Sequence, residues 1–154
     1  MPSLSVCMIV QNAEKTLAIA LESLNRVYDD LIIVDGGSTD STCEIALGYG
    51  ARVIKSAWSG NHGQQRNVYL RELKTEWAFV LDSDEFIDIQ TLEVLQDLKQ
   101  NKISLNTDNF WIPRKWISPN SQKHYIASSP HYPDFQRRLF QNKEGIFYQG
   151  RIHE

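Results

Sequence analysis

Residues 77–86 read WAFVLDSDEF, an apolar strand-like run that closes on two aspartates, Asp82 and Asp84. Because alternate residues of an extended chain share one face, both carboxylates can point to the same spot at the carboxyl end of the strand. Open α/β sheets bind their ligands at that edge. Two like charges held together repel, and a divalent cation shared with a phosphorylated substrate relieves the repulsion. The simpler alternative is that Asp82 ends the strand and Asp84 caps a turn or the next helix.

The composition is that of an ordinary folded domain. The 154 residues are 42% hydrophobic and 23% charged, which suits a single domain with a hydrophobic core. The net charge of −3 gives no general reason to expect nucleic acid as a partner. No apolar run approaches the ~18 residues of a membrane span, and no leader sequence is evident. Cys7 and Cys43 lack metal-ligand spacing, so we expect reduced thiols and a cytoplasmic location, free or peripheral at the inner face of the membrane.

Strand-like and helix-like segments alternate through the first hundred residues. Asn12 is placed to cap the first helix, and Ser41-x-x-Glu44 has the form of a capping box for the second. Two further helical patterns follow the turn at 60–63 and cover 92–98. The strand-like runs are 4–10, 31–34, 52–55 and 77–81. This β-α-β-α-β-α-β order predicts an α/β fold with a mostly parallel central sheet and helices on both faces.

After about residue 105 the character of the sequence changes. Nine of the sixteen aromatic residues fall in the last 45 positions, and four prolines interrupt them. Short strands and long loops are therefore expected. Segments 110–116, 135–140 and 146–148 are predicted to add antiparallel strands to the sheet.

Two further motifs precede the aspartate pair. Asp35 ends the second strand and is followed by Gly36-Gly37-Ser38-Thr39-Asp40, where glycine lets the backbone approach a ligand closely. The stretch GQQRN at 63–67 opens a helix, whose free N–H groups and partial positive charge favour a phosphate, with Arg66 adding a full charge. A tight turn and a solvated helix face are the structural alternatives.

Taken in order, Asn12 after the first strand, VDGGSTDST, GQQRN and FVLDSDE resemble the family 2 inverting glycosyltransferases. The similarity is to the branch with lipopolysaccharide-core glucosyltransferases and enzymes fused to helical repeats. It runs from SVCMIVQNAEKTL to GRIHE and implies one domain over 1–154 with the nucleotide-sugar-binding, Rossmann-like GT-A fold. Residues 1–105 would form the nucleotide-sugar half and 106–154 a partial acceptor-side half, shorter than in full-length relatives.

The resemblance implies a donor site for a nucleotide-diphosphate sugar, with uridine as the preferred nucleoside. Asp84 would be the main ligand of Mg²⁺ or Mn²⁺, with Asp82 near the ribose or the metal and His153 as an additional metal or diphosphate contact. The nucleotide-binding residues would be Val10, Asn12, Asp35, Gly37, Arg66, Asn67 and Asp82.

The resemblance also implies a base from the second half that deprotonates the acceptor hydroxyl, and Glu154 is the first candidate, with Asp134 second. A saccharide, a lipid-linked or a protein acceptor is expected in cell-envelope polysaccharide synthesis. Three aromatic side chains are candidates for stacking on its sugar rings, and three arginines are candidates for contacts with phosphate or acidic groups. These residues are Trp111, Trp116, Tyr132, Arg114, Arg137 and Arg138.

Two other functions are compatible with parts of the pattern. The chain could be a truncated nucleotide-binding module without turnover. A phosphotransferase or phosphatase would use Asp82 as nucleophile and Asp84 as acid, although that chemistry normally places the pair on an early strand. A dinucleotide-dependent oxidoreductase is disfavoured because no Gly-x-Gly-x-x-Gly follows the first strand.

Overall fold

The computed structural model describes residues 1–103, 107–118, 121–127 and 132–150. Its elements, in chain order, are β1 (Leu4–Val10), α1 (Leu17–Ser23), β2 (Asp30–Asp35), α2 (Thr42–Gly48), β3 (Arg52–Lys55), α3 (His62–Glu72), β4 (Trp77–Val80), α4 (Ile89–Lys99), β5 (Asn109–Arg114), β6 (Ile117–Ser118), β7 (Ser121–Tyr125) and β8 (Asp134–Gln141). The predicted alternation of strands and helices through the first hundred residues is confirmed.

Six strands form one mixed sheet in the order β3-β2-β1-β4-β8-β5. The first four strands are mutually parallel, whereas β8 is antiparallel to both β4 and β5. The short strands β6 and β7 pair separately as an antiparallel ribbon. The mostly parallel sheet and the added antiparallel strands of the second half are as predicted.

Alternating side chains of the central strands enter two separate hydrophobic cores. Val6 and Met8 of β1 belong to the larger core, which also takes in Leu17 and Leu21 of α1 and Leu95 of α4. Cys7 of β1 points into the smaller core with Tyr69 of α3. Helices therefore cover both faces of the sheet, which explains why the buried strands read as continuous apolar runs. No described helix combines the length and the apolar character that a bilayer crossing requires.

The loops after β1 and β2 are joined by side-chain hydrogen bonds, and this corrects two predicted helix caps. Asn12 does not cap α1, which begins after Thr16; its Oδ1 accepts from the Thr39 N–H at 2.8 Å. Asn12 has a φ of 51°, a left-handed conformation that asparagine tolerates well. Its own N–H donates to Ser38 Oγ at 2.9 Å. Asn12 therefore bonds the loop after β2 and not the first turn of α1.

The capping box at Ser41 is not formed either. The Ser41 side chain makes no capping hydrogen bond, and its N–H donates to Glu14 Oε2 at 3.2 Å. Asp40 accepts from the Thr42 N–H at 3.0 Å instead, while Thr42 Oγ1 accepts from the Ala13 N–H at 2.7 Å. The first turn of α2 is thus tied to the loop after β1.

The segment after β8 is held by α3 and not by the sheet, so the prediction of a strand at 146–148 is wrong. The Asn67 side chain acts like a neighbouring backbone: its Nδ2 donates to the Tyr148 carbonyl at 3.0 Å, and its Oδ1 accepts from the Tyr148 N–H at 2.8 Å. The Tyr69 hydroxyl donates to the Tyr148 hydroxyl at 3.1 Å. At Gly63, an added Cβ would lie 2.6 Å from the Gly150 carbonyl oxygen.

Replacing Gly63 with Ala should destabilise the protein by about 1–3 kcal/mol, because the new methyl group overlaps the Gly150 backbone. Helix propensity alone predicts the opposite sign, a gain of up to about 1 kcal/mol. The measurement is urea unfolding, with hydrogen exchange at 146–150 as a local readout. Gly48→Ala is the matched control, since nothing lies within 4 Å of a Cβ at that position in α2. Equal stability of the two variants would contradict the close packing at Gly63.

Candidate active site

An open cleft of about 1550 Å³ lies at the carboxyl ends of the parallel strands. Strand order reverses between β1 and β4, because β2 lies on one side of β1 and β4 on the other. Such a reversal leaves a crevice between the loops that follow the two strands, where open α/β sheets bind ligands. Val10 and Asn12 after β1 and Asp82 and Asp84 after β4 line this cleft, as expected from the sequence.

Asp82 is clamped between two buried arginines. Arg66 of α3 donates from Nη2 to Asp82 Oδ1 at 2.9 Å, and Arg138 of β8 donates from Nη2 to Oδ2 at 3.0 Å. Burial alone would raise the pKa of Asp82, but the charges and hydrogen bonds of Arg138 and Arg66 lower it from 3.8 to about 2. Asp82 is therefore a fixed anion whose two oxygens are already bound by the protein.

A bulge in β8 explains how Arg138 reaches Asp82. Phe110 pairs with Leu139, whereas the next residue of β5, Trp111, pairs with Arg137. Arg138 is thus the extra residue, and Arg138, Leu139 and Phe140 are buried in succession, which breaks the strand alternation. Bulges of this kind redirect a side chain next to functional sites.

The ion pairs continue from Asp82 along the cleft. Arg138 also donates to Glu85 Oε1 at 2.6 Å, and Arg114 of β5 lies 3.5 Å from the same oxygen. Burial raises the pKa of Glu85, and the Asp82 charge adds to this, against the lowering effect of Arg138. Arg114 is also bound to Asp134 Oδ2 at 2.7 Å. Alternating charges thus link α3, the loop after β4, β8 and β5 across the cleft.

Asp84 differs from Asp82 in every respect that matters for metal binding. It is exposed and lines the cleft. In the part of the chain that the structure describes, no cation or hydrogen-bond donor engages its carboxylate. A carboxylate that is exposed, lies in a cleft and makes no ion pair with the described residues can bind a hard cation.

The donor set fits a divalent metal held mainly by its substrate. The described residues contain no group of three or more His, Cys, Asp or Glu side chains that could hold an ion by themselves. Mg²⁺ commonly uses one or two protein carboxylates and takes its other ligands from water and phosphate. Asp84 fits that role, whereas Asp82 is committed to its arginines. The paired oxygens also make Asp82 a poor nucleophile, which disfavours the phosphotransferase alternative. His153 lies outside the described residues.

Asp35 and Gly37 form a compact turn beside the cleft and are not part of its lining. Asp35 is buried, and its carboxylate accepts from the N–H of Gly37 at 3.2 Å and of Ser38 at 3.1 Å. Gly37 has a φ of 103°, which a residue with a Cβ rarely adopts. The turn is therefore preorganised.

Two other predicted site residues have clear partners within the protein. Asn67 binds the Tyr148 backbone and does not line the cleft, so its role near the nucleotide stays a prediction. Asp134 lines the cleft, but Arg114, Gln136 and Trp116 all donate to its carboxylate. Burial alone would raise the pKa of Asp134, and these donors bring it below the usual value, which weakens Asp134 as a base. Glu154 lies outside the described residues.

Sequence reasoning missed Trp58, whose ring lines the cleft. The backbone N–H of Trp58 donates to the Gly36 carbonyl at 3.1 Å, and the Trp58 ring meets the His62 ring edge-on at a centroid distance of 4.7 Å. Gly36 packs against it, since an added Cβ would lie 3.4 Å from Trp58 Cβ. The sequence signal for this residue is a single tryptophan among the small and polar residues of 56–61.

Comparison with known sequences identifies the family. The sequence model described as "Glycosyl transferase family 2" matches residues 5–151. The chain belongs to this family. A TPR repeat-containing protein of Synechococcus elongatus is 29% identical over all 154 residues, which cover 35% of that protein. The lipopolysaccharide core biosynthesis glycosyltransferase LpsC of Rhizobium meliloti is 34% identical over 100 residues, 62% of this chain and 36% of LpsC.

Solved structures agree with the assignment to family 2 and its GT-A fold. Staphylococcus aureus TarS residues 1–349 in complex with UDP has a TM-score of 0.60 and 26% identity, covering 76% of this chain and 37% of that one. Its complex with UDP-GlcNAc gives the same TM-score and identity. The chain spans about a third of the length of these relatives. The predicted family and fold are confirmed.

Asp82→Asn should lower the stability of this family 2 domain by about 2 kcal/mol at pH 7, the free energy equivalent of moving a carboxyl pKa from 3.8 to about 2. A depressed carboxyl pKa stabilises the folded state above the unfolded pKa, and the contribution is lost as the pH falls toward 2. The difference between variant and wild type in urea unfolding should therefore shrink below about pH 4. Asp108→Asn, which removes a carboxylate from an exposed pair with Lys143, should leave the stability nearly unchanged. A difference that is independent of pH would contradict the clamp.

Proposed function

We propose that this domain transfers a sugar from a UDP-sugar to a hydroxyl group with inversion and with help from Mg²⁺ or Mn²⁺. The observation that carries the proposal is the exposed Asp84 beside the arginine-bound Asp82, in the cleft where strand order reverses. Family membership and the similarity to TarS bound to UDP and UDP-GlcNAc support it. The acceptor would be a saccharide, a lipid-linked or a protein hydroxyl in cell-envelope polysaccharide synthesis, and the cytoplasmic location stays a prediction.

The nucleotide would lie against the loops that follow β1 and β2. Val10 and Asn12 line the cleft, and the bonds from Asn12 to Ser38 and Thr39 fix this loop in advance. Asp35 would accept a hydrogen bond from the base, with Gly37 allowing a close approach of the backbone. A preformed site lowers the entropy cost of binding the nucleotide.

The diphosphate would meet the middle of the cleft. Asp84 would hold the metal, with His153 as a further contact. When bound, the metal would stabilise the negative charge that develops on the departing diphosphate. Arg66 and Arg138 are both bound to Asp82, so their main effect would be to hold that carboxylate in place next to the diphosphate.

The acceptor hydroxyl needs a base on the face opposite the leaving group. That base removes the hydroxyl proton while the oxygen attacks the anomeric carbon and the bond from that carbon to the diphosphate oxygen breaks, which inverts the configuration. Glu154 is the proposed base. Asp134 is second, because three donors already bind its carboxylate.

Asp84→Asn should abolish Mn²⁺-dependent binding of UDP while leaving the unfolding transition unchanged, because the exposed carboxylate has no structural partner among the described residues. The measurement is calorimetric titration of UDP with and without Mn²⁺, together with UDP release from UDP-glucose and UDP-N-acetylglucosamine. The matched control is Asp97→Asn, an aspartate on α4 outside the cleft whose side chain is 48% exposed.

Metal-dependent UDP binding that persists in Asp84→Asn would contradict the metal assignment. UDP binding by the wild type without UDP release from any UDP-sugar would instead identify a nucleotide-binding module without turnover.

Glu154→Gln should reduce UDP release by about 10²-fold or more without weakening UDP binding, because the loss of a general base affects only the chemical step. Asp134→Asn should lower stability and leave the pH dependence of turnover unchanged. If Asp134→Asn instead slows UDP release and changes its pH dependence, while Glu154→Gln does not slow it, Asp134 is the base. Initial rates between pH 5 and pH 9, with thermal unfolding of each variant, make the comparison.

A further inference from the structure

The antiparallel strands β5 and β8 present an exposed aromatic wall to the cleft. Trp111 lies directly opposite Arg137, and Pro113 lies opposite Phe135, so alternate side chains of both strands share this face. Trp111 is 55% exposed and Phe135 is 51% exposed, and both line the cleft together with Arg137. Large exposed aromatic side chains beside a cleft commonly mark a ligand surface.

Arg137 differs from the other arginines that line the cleft. Arg66, Arg138 and Arg114 each pair with a carboxylate of the protein. Among the described residues, Arg137 has no carboxylate within ion-pair distance; its guanidinium instead lies 4.9 Å from the centre of the Trp111 ring. It is also exposed. Its positive charge is therefore available to a ligand.

A second tryptophan–arginine pair in the same region shows what Trp111 and Arg137 lack. The Arg114 guanidinium lies 4.8 Å from the centre of the Trp116 ring, much as Arg137 does over Trp111. There, Asp134 Oδ2 accepts from Arg114 at 2.7 Å and from Trp116 Nε1 at 3.2 Å. An anion supplied by a ligand would complete the same arrangement at Arg137.

We propose that this wall binds the acceptor, and that the acceptor is a saccharide carrying a phosphate or a carboxylate group. The apolar C–H face of a sugar ring would stack on Trp111 and Phe135, and the anionic group would bind Arg137. The proposal rests on the proposed transferase function, since it assigns the part of the cleft lined by β5 and β8 to the second substrate. Charge complementarity decides for an anionic saccharide over a neutral one.

The test compares the binding of three sugars to the full chain by saturation-transfer NMR: methyl glucoside, glucose 6-phosphate and methyl glucuronide. At least one anionic sugar should bind about tenfold more tightly than the neutral one at low salt, and this preference should weaken at high ionic strength. The two anionic sugars distinguish a phosphorylated from a carboxylated acceptor.

Variants separate the two contacts. Arg137→Gln should remove the preference for the anionic sugar, whereas Trp111→Ala should weaken all three sugars. The matched controls are Arg71→Gln and Phe86→Ala, which change exposed residues of the same type outside the cleft and should have no effect.

Equal binding of neutral and anionic sugars, no binding at millimolar concentration, or an anion preference that survives Arg137→Gln would overturn the proposal. Inorganic phosphate is titrated in the same way, and phosphate that binds as tightly as glucose 6-phosphate would overturn it too. A dimer that Trp111→Ala dissociates would assign the wall to a second copy of the chain and would also overturn it. Failure of the wild type to bind UDP would contradict the transferase function separately, because UDP is titrated without sugars.

Discussion

The site depends on the pairing of Asp82 with Arg66 and Arg138. Each of the three residues comes from a different element: the helix on one face of the sheet, the loop after β4 and the antiparallel strand β8. Arg66 and Arg138 are buried and Asp82 is half-buried. Removing these charges from water is tolerated because they are paired, since an unpaired charge would carry most of its desolvation cost. The clamp therefore fixes where the second half of the domain lies against the first.

This clamp also gives Asp82 and Asp84 different environments, although the two aspartates look alike in sequence. Both carboxylate oxygens of Asp82 are bound by arginines, so Asp82 holds Arg66 and Arg138 in place in the cleft. Asp84 is exposed and unengaged by the described residues, so it can meet a ligand. Both residues line the cleft, but only Asp82 has ion-pair partners from α3 and β8.

The sequence predicted those features that depend on interactions between residues close together in the chain. Strands 4–10 and 52–55 are bounded as predicted, because apolar residues between adjacent turns are local signals. The caps at Asn12 and Ser41 failed because each residue bonds a loop that is distant in sequence. The same holds for Asn67, whose partner Tyr148 lies 81 residues away. Residue types in the site were predictable, but their partners across long separations were not.

The bulge at Arg138 makes this site depend on the length of a strand as well as on its residues. With one residue fewer in β8, the regular pleat would return and the arginine opposite Trp111 would exchange places with its neighbour. One guanidinium would leave Asp82, and the other would leave the aromatic wall. A single codon deletion elsewhere in β8 would therefore disturb the Asp82 clamp and the aromatic wall at once, although every side chain of both would still be present in the sequence.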